Sequence, residues 1–155
     1  MLGLWSLGSA PMGMRLHVAF TVDLEELQHA IDGLVGAHEA LRTGIRLEGD
    51  ALHQEIGSQA RLTLQVVPAL SIDEELARPF DLSHPPLLRA TYATETRTLL
   101  LVAHHSIVDR PSLRLMFRAL TEGVATPELH YIDHSEWLRA IPESEIQELF
   151  LHWQY

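Results

Sequence analysis

The stretch "LLLVAHHSIVDRPSL", residues 99–113, sets two adjacent histidines at the end of an apolar run, an aspartate four residues after the second, and a proline two beyond that. The run from Leu99 to Ala103 is nearly continuous in apolar residues and reads as a strand buried on both faces, central in a sheet. Successive side chains on a strand point to opposite faces, so only one of His104 and His105 faces a given cavity while the other packs. Asp109 is placed to cap the helix that Pro111 starts, to orient a histidine, or to pair with an arginine. Spacing alone leaves two readings open, a catalytic loop and a plain strand end.

Outward from this stretch, both flanks alternate between strand and helix signals. "RLHVAFTV" (15–22) has a two-residue period and reads as a strand. Asp23, with Glu26 three residues on, predicts the start of a helix whose apolar stripe runs through Leu24, Leu27, Ile31, Leu34, Val35, His38 and Leu41, with Gly44 ending it. "IRLEGDALHQEI" (45–56) reads as a hairpin turning at Gly49 and Asp50, and "RLTLQVV" (61–67) as a further strand. "SIDEELARPF" (71–80) is a short capped helix that Pro79 terminates. "LLRATYAT" and "TLLLVAHH" are strands, a helix runs from Pro111 to about Gly123, and the tail "YIDHSEWLRAIPESEIQELFLHWQY" reads as two helices split by Pro142. With no repeat, low-complexity tract or linker, residues 1–155 are expected to form a single α+β domain, a mixed sheet covered by helices.

Composition narrows the partners. A formal net charge of -10 argues against wrapping a nucleic acid or lying on an anionic membrane, since both need a cationic face. The absence of cysteine excludes disulfides, thiolate nucleophiles and cysteine metal sites, and fits a cytoplasmic protein. "MLGLWSLGSAPMGMRLHVAF" is apolar, but glycine and proline break it and no basic segment precedes it, so neither a signal peptide nor a spanning helix is expected.

Most of the remaining histidines carry no site signal. His38 lies on an apolar helix face and reads as a hydrogen-bonded packing residue, and His17, His29, His53 and His152 lack partners at metal spacing. His130 and His134 are four apart and could share a helix face with Asp133, but no third ligand is evident, so the segment reads as solvated helix surface and no metal site is expected.

Four segments in order decide between the two readings of the opening stretch. "LVGAHEALRTGI" (34–45), "PFDLSHPPLLRA" (79–90), "LLLVAHHSIVDRPSL" (99–113) and "YIDHSEWLRA" (131–140), with "GLW" near the start, resemble the successive motifs of nonribosomal peptide synthetase condensation domains. The matching positions are His38, Glu39, Leu41, Arg42 and Thr43 in the first, Phe80 to Leu82 and Pro86 to Ala90 in the second, and His104, His105, Asp109 and Ser112 in the third.

That resemblance implies a chloramphenicol-acetyltransferase-like fold of two lobes with the active site in a tunnel between them, this chain being the N-terminal lobe, half of the two-lobed domain. It implies that His105 is the catalytic position, as general base or stabiliser of the intermediate, that His104 supports the turn, and that Asp109 holds the loop through an arginine. Arg110, where the family usually has glycine, and Ser112 would lie along the substrate channel. The implied function is amide bond formation in nonribosomal peptide biosynthesis, between an acyl or aminoacyl thioester and an amine acceptor. No cofactor is expected to be bound; substrates would arrive on the phosphopantetheine arms of peptidyl or acyl carrier proteins. A C-terminal lobe or synthetase module would complete the site, and a bare inter-lobe face would favour self-association. A vestigial or scaffold lobe that only binds a synthetase partner, and an ester-forming acyltransferase, are the alternatives. Heterocyclisation is disfavoured, because that variant has aspartates in place of the histidine pair.

Overall fold

The computed structural model describes residues 11–17, 22–123 and 127–142. A four-stranded mixed sheet is built from β1 (Pro11–His17), β4 (Gln65–Val67), β5 (Leu88–Ala93) and β6 (Thr98–His104), in the order β1-β6-β5-β4. β6 is antiparallel to both neighbours, and β4 runs parallel to β5. The central position expected for the Leu99–Ala103 run follows from its composition: an inner strand shows both faces to covering layers, and Leu99 to His104 are all buried.

Two layers of helix cover the sheet. α1 (Leu24–Ala37) and α3 (Arg110–Glu122) share one core with the face that carries Leu88, Ala90, Tyr92, Leu99, Leu101 and Ala103, contributing Ile31, Leu34, Val35, Leu113, Met116 and Phe117. The short α2 (Ile72–Ala77) lies on the opposite face, where Leu76 occupies the space a side chain at Gly13 would need, beside Leu100. Asp23 caps α1 by accepting from the amides of Glu25 (2.8 Å) and Glu26 (3.2 Å), and Ser71 caps α2 through the amide of Glu74. A separate hairpin of β2 (Thr43–Glu48) and β3 (Ala51–Ile56) turns at Gly49, whose φ of 62° is the left-handed conformation such a turn requires. α4 (Tyr131–Ala140) follows α3.

Two expectations are corrected. The first helix does not run on to Gly44; it ends at Ala37 with His38 as its C-cap, and a 3-10 turn, Glu39–Arg42, carries Leu41 into the core. Long-range bonds draw the chain away: the Gly57 amide donates to the Arg42 carbonyl (2.9 Å), the Arg42 guanidinium donates to the Gly57 carbonyl (2.6 Å), and Gly44 falls inside β2. Of the strand expected over 61–67, only Gln65–Val67 pairs with the sheet. Its alternation is real, since Leu62 and Leu64 are buried, but a helix side chain replaces the neighbouring strand: Gln28 donates to the Leu62 carbonyl (2.8 Å) and accepts from the Leu64 amide (2.8 Å). Residues 18–21 of the first expected strand, the "GLW" segment, His152 and the helix expected after Pro142 lie outside the described residues.

Candidate active site

The site begins where β6 ends. His104 is the last residue of the strand and is 6% exposed, turned toward the α2 layer. Its Nδ1 accepts from the Ser106 amide (3.2 Å) and lies 2.8 Å from the Ser106 hydroxyl, while the His104 carbonyl accepts from the Ile107 amide (3.2 Å), closing a tight turn. An accepting Nδ1 puts the proton of the neutral ring on Nε2. Burial first, and the neighbouring His105 second, hold the His104 imidazole below the ordinary histidine pKa, favouring the neutral ring.

Phe80 meets His104 edge-on, with ring centroids 6.1 Å apart and planes at 76°. Arg89 stacks its guanidinium on the Phe80 ring and donates to the carbonyls of Glu75 (2.7 Å), Arg78 (2.9 Å) and Pro79 (3.3 Å). Phe80 and Arg89 stand out in the sequence only as motif positions; their joint role around His104 comes from folding α2 against β5.

His105 points the other way and is exposed at the edge of a depression of about 410 Å³, a size usual for ligand sites. Its Nδ1 lies 3.1 Å from the Val108 carbonyl, which only accepts, so Nδ1 carries the proton and Nε2 is left as the basic nitrogen. The walls come from distant parts of the chain: Glu39 and Ala40 of the 3-10 turn, Thr43, Gln54 and Ile56 of the hairpin, and Tyr131 and Ile132 at the start of α4. The hairpin and α4 carry no local signal of this role, because it depends on how they are placed around the loop.

Asp109 caps α3, its Oδ1 accepting from the Ser112 amide (2.8 Å) and the Ser112 hydroxyl (2.5 Å). These two bonds hold its carboxyl below the usual aspartate pKa. The arginine contact expected for Asp109 is not found among the described residues; Ser112 takes that place. Ser112 lines the depression with Asp109, whereas Arg110 is exposed, stands outside the lining and has no ion-pair partner among the described residues.

The other histidines go elsewhere. His130 precedes α4, its amide donating to Asp133 (2.8 Å) and its ring standing 4.0 Å from Glu39, while His134 stacks on Trp137. The three residues therefore diverge, and among the described residues no three His, Asp or Glu side chains gather as a metal site. His38 is held below the ordinary histidine pKa by burial first and by His130 second. His29 and His53 are exposed. Among the described residues, no helix is long and apolar enough to cross a membrane.

A central strand delivering a histidine into a capped turn, on a mixed sheet with helices on both faces, defines a chloramphenicol-acetyltransferase-like fold. The sequence pattern of the Condensation domain family matches residues 11–155, and the chain belongs to that family. Among curated proteins it is similar to Tyrocidine synthase 2 of Brevibacillus parabrevis, 36% identical over an alignment of 137 residues, with 80% of this chain and 4% of the synthase covered. Among solved structures it is similar to SgcC5 from Streptomyces globisporus, with a TM-score of 0.72 at 23% identity over 92% of this chain and 39% of that one. It is also similar to the X-domain from teicoplanin biosynthesis, solved in complex with OxyB, with a TM-score of 0.71 at 23% identity over 90% of this chain and 35% of that one.

Proposed function

We propose that this chain supplies the histidine-bearing half of a condensation site that forms an amide between a carrier-bound acyl or aminoacyl thioester and an amine. The observation that carries the reading is the bond from His105 Nδ1 to the Val108 carbonyl, which leaves Nε2 as an acceptor at the edge of the depression. The attacking amine becomes an ammonium as its C–N bond forms. Nε2 takes that proton, the tetrahedral adduct collapses, and the thiolate leaves. Proton transfer of this kind contributes about 10²–10⁴-fold, and tethering both substrates supplies proximity.

The described depression is open on one side, and the chain spans 39% of SgcC5, so a complementary lobe is part of this proposal. The test is condensation of carrier-bound substrates by this chain together with a complementary lobe. His105→Ala should lower the rate about 10²–10⁴-fold; an unchanged rate would falsify the role of His105, and full activity of the chain alone would remove the need for a partner lobe. The sites are expected to be reached by phosphopantetheine arms, with no cofactor of the protein's own.

A second reading is a binding lobe without catalysis. It is supported by the exposed side chains of Leu129, Tyr131 and Trp137, of which Tyr131 lines the depression, and by the likeness to an X-domain solved with a protein partner. Native mass spectrometry with synthetase domains separates the readings: a strict monomer that binds none of them counts against a binding lobe.

A further inference from the structure

α3 starts one residue after Asp109 and leaves the depression with arginines at positions 110, 114 and 118, all exposed. Four-residue spacing puts them on successive turns, each about 6 Å further along the axis, so they form one ridge about 12 Å long that begins beside the mouth of the site. The chain has 11 basic residues, every one an arginine, against 21 acidic ones. Three of those 11 therefore share one helix face in an otherwise acidic protein. Arg118 is bonded to Glu122 at 3.1 Å, while Arg110 and Arg114 have no ion-pair partner among the described residues. The nearest carboxylate in sequence, Asp109, is committed to Ser112.

We infer that the Arg110, Arg114 and Arg118 ridge is a docking surface for an acidic helical face of a carrier domain, with Arg110 holding the phosphodiester at the root of its arm. The inference rests on the condensation reading and deepens it by naming where the carrier sits. Charge complementarity supports it, because an arginine fork matches carboxylate and phosphate geometry in two-bond contacts. The position supports it as well: Arg110 is the residue next to the lining, so a phosphate held there directs the arm toward His105, and Arg114 and Arg118 extend the contact away from the mouth. Three cations within a chain of net charge -10 suit one compact acidic protein face, and are too few for a nucleic acid or an anionic bilayer.

The experiment is a titration of the ¹⁵N-labelled 155-residue chain with a recombinant carrier domain of Tyrocidine synthase 2, with and without its phosphopantetheine arm. Shifts should concentrate on the amides of residues 109–118, and binding should weaken with added salt. Arg110→Ala should loosen the arm-bearing form about threefold and leave the arm-free form unchanged, while Arg114→Glu with Arg118→Glu should loosen both forms about tenfold and flatten the salt dependence. All three side chains are exposed, so circular dichroism of the variants should match the parent. Absent binding, shifts centred on another face, or an unchanged affinity of the double variant overturns the inference. So does equal or tighter binding to heparin or to phosphatidylserine vesicles. Because the readout is binding, it separates from the catalytic test, which reads the rate of condensation.

Discussion

Arg89 lies over the face of Phe80, its guanidinium carbon 3.9 Å from the ring centroid. The same ring meets the His104 imidazole in a T-shaped contact, so Phe80 packs against a cation and an imidazole at once. Arg89 also gathers three carbonyls from the end of α2, so one side chain ties the helix end, the aromatic ring and β5 together.

Arg89→Lys keeps the charge but loses the fork that reaches three carbonyls. It should cost about 2 kcal/mol of stability in urea unfolding. Phe80→Leu should, in addition, raise the His104 pKa toward the ordinary value by admitting water, as read from its imidazole ¹⁵N shifts. An unmoved His104 titration in Phe80→Leu would separate the ring from the histidine's environment.

Acid should weaken the fold in two steps. His104 and His38 both titrate below 6.5 in the folded chain, chiefly through burial, so the unfolded chain binds protons first as pH falls. Their contribution is complete above about pH 6.5 and is lost as pH drops through their lower folded values. Asp81, lowered to about 2 by hydrogen bonds from Ser83 and His84, and Asp109, lowered by Ser112, act later: they stabilise above the ordinary aspartate pKa of 3.8 and lose this as pH falls further. Urea midpoints at about pH 7.5, 5 and 2.5 should fall at each step, and His104→Gln should shrink the first.

Asp109→Ala removes the acceptor for both Ser112 bonds and should fray the first turn of α3, with amide exchange at Ser112 and Leu113 about fivefold faster. Asp109→Asn still caps and should stay near the parent. Equal exchange in all three proteins would show that Pro111 alone starts the helix.

Two glycines should respond with opposite signs. A Cβ at Gly44 would stand 3.1 Å from Pro85 Cδ and 3.3 Å from the backbone oxygens of Leu82 and Ser83. Gly44→Ala must therefore push the hairpin off that loop and strain the 2.7 Å bond from the Ile45 amide to the Leu82 carbonyl, costing about 1–2 kcal/mol. Gly36 lies in α1 with open space around it, so Gly36→Ala should stabilise by about 0.5 kcal/mol. Thermal unfolding of the two variants checks both signs.

How much of this the sequence foreshadows depends on whether the cause is local. The caps at Asp23 and Ser71, the Gly49 hairpin and the central place of Leu99–Ala103 are local or compositional, and each is found where the pattern puts it. The course of the chain after α1 is not, because Gly57, 15 residues from Arg42, bonds to Arg42 where the 3-10 turn passes into β2. Nor is the pairing of Leu62 and Leu64, which a glutamine side chain satisfies. At the site, the loop itself is visible in sequence, while its walls from the hairpin and α4 and the outward setting of Arg110 depend on tertiary placement.

β6 is zipped on both edges, with Ala103 facing Met12 on one side and Leu88 on the other. Two ladders thus fix its frame, and with it the identity of the histidine that looks into the depression. A slip by a single residue would turn every side chain over and exchange the buried imidazole for the exposed one. The two ladders act as a reading frame for chemistry: one residue inserted among Leu99–Ala103 would leave "HH" intact in the sequence while handing the depression to the wrong ring.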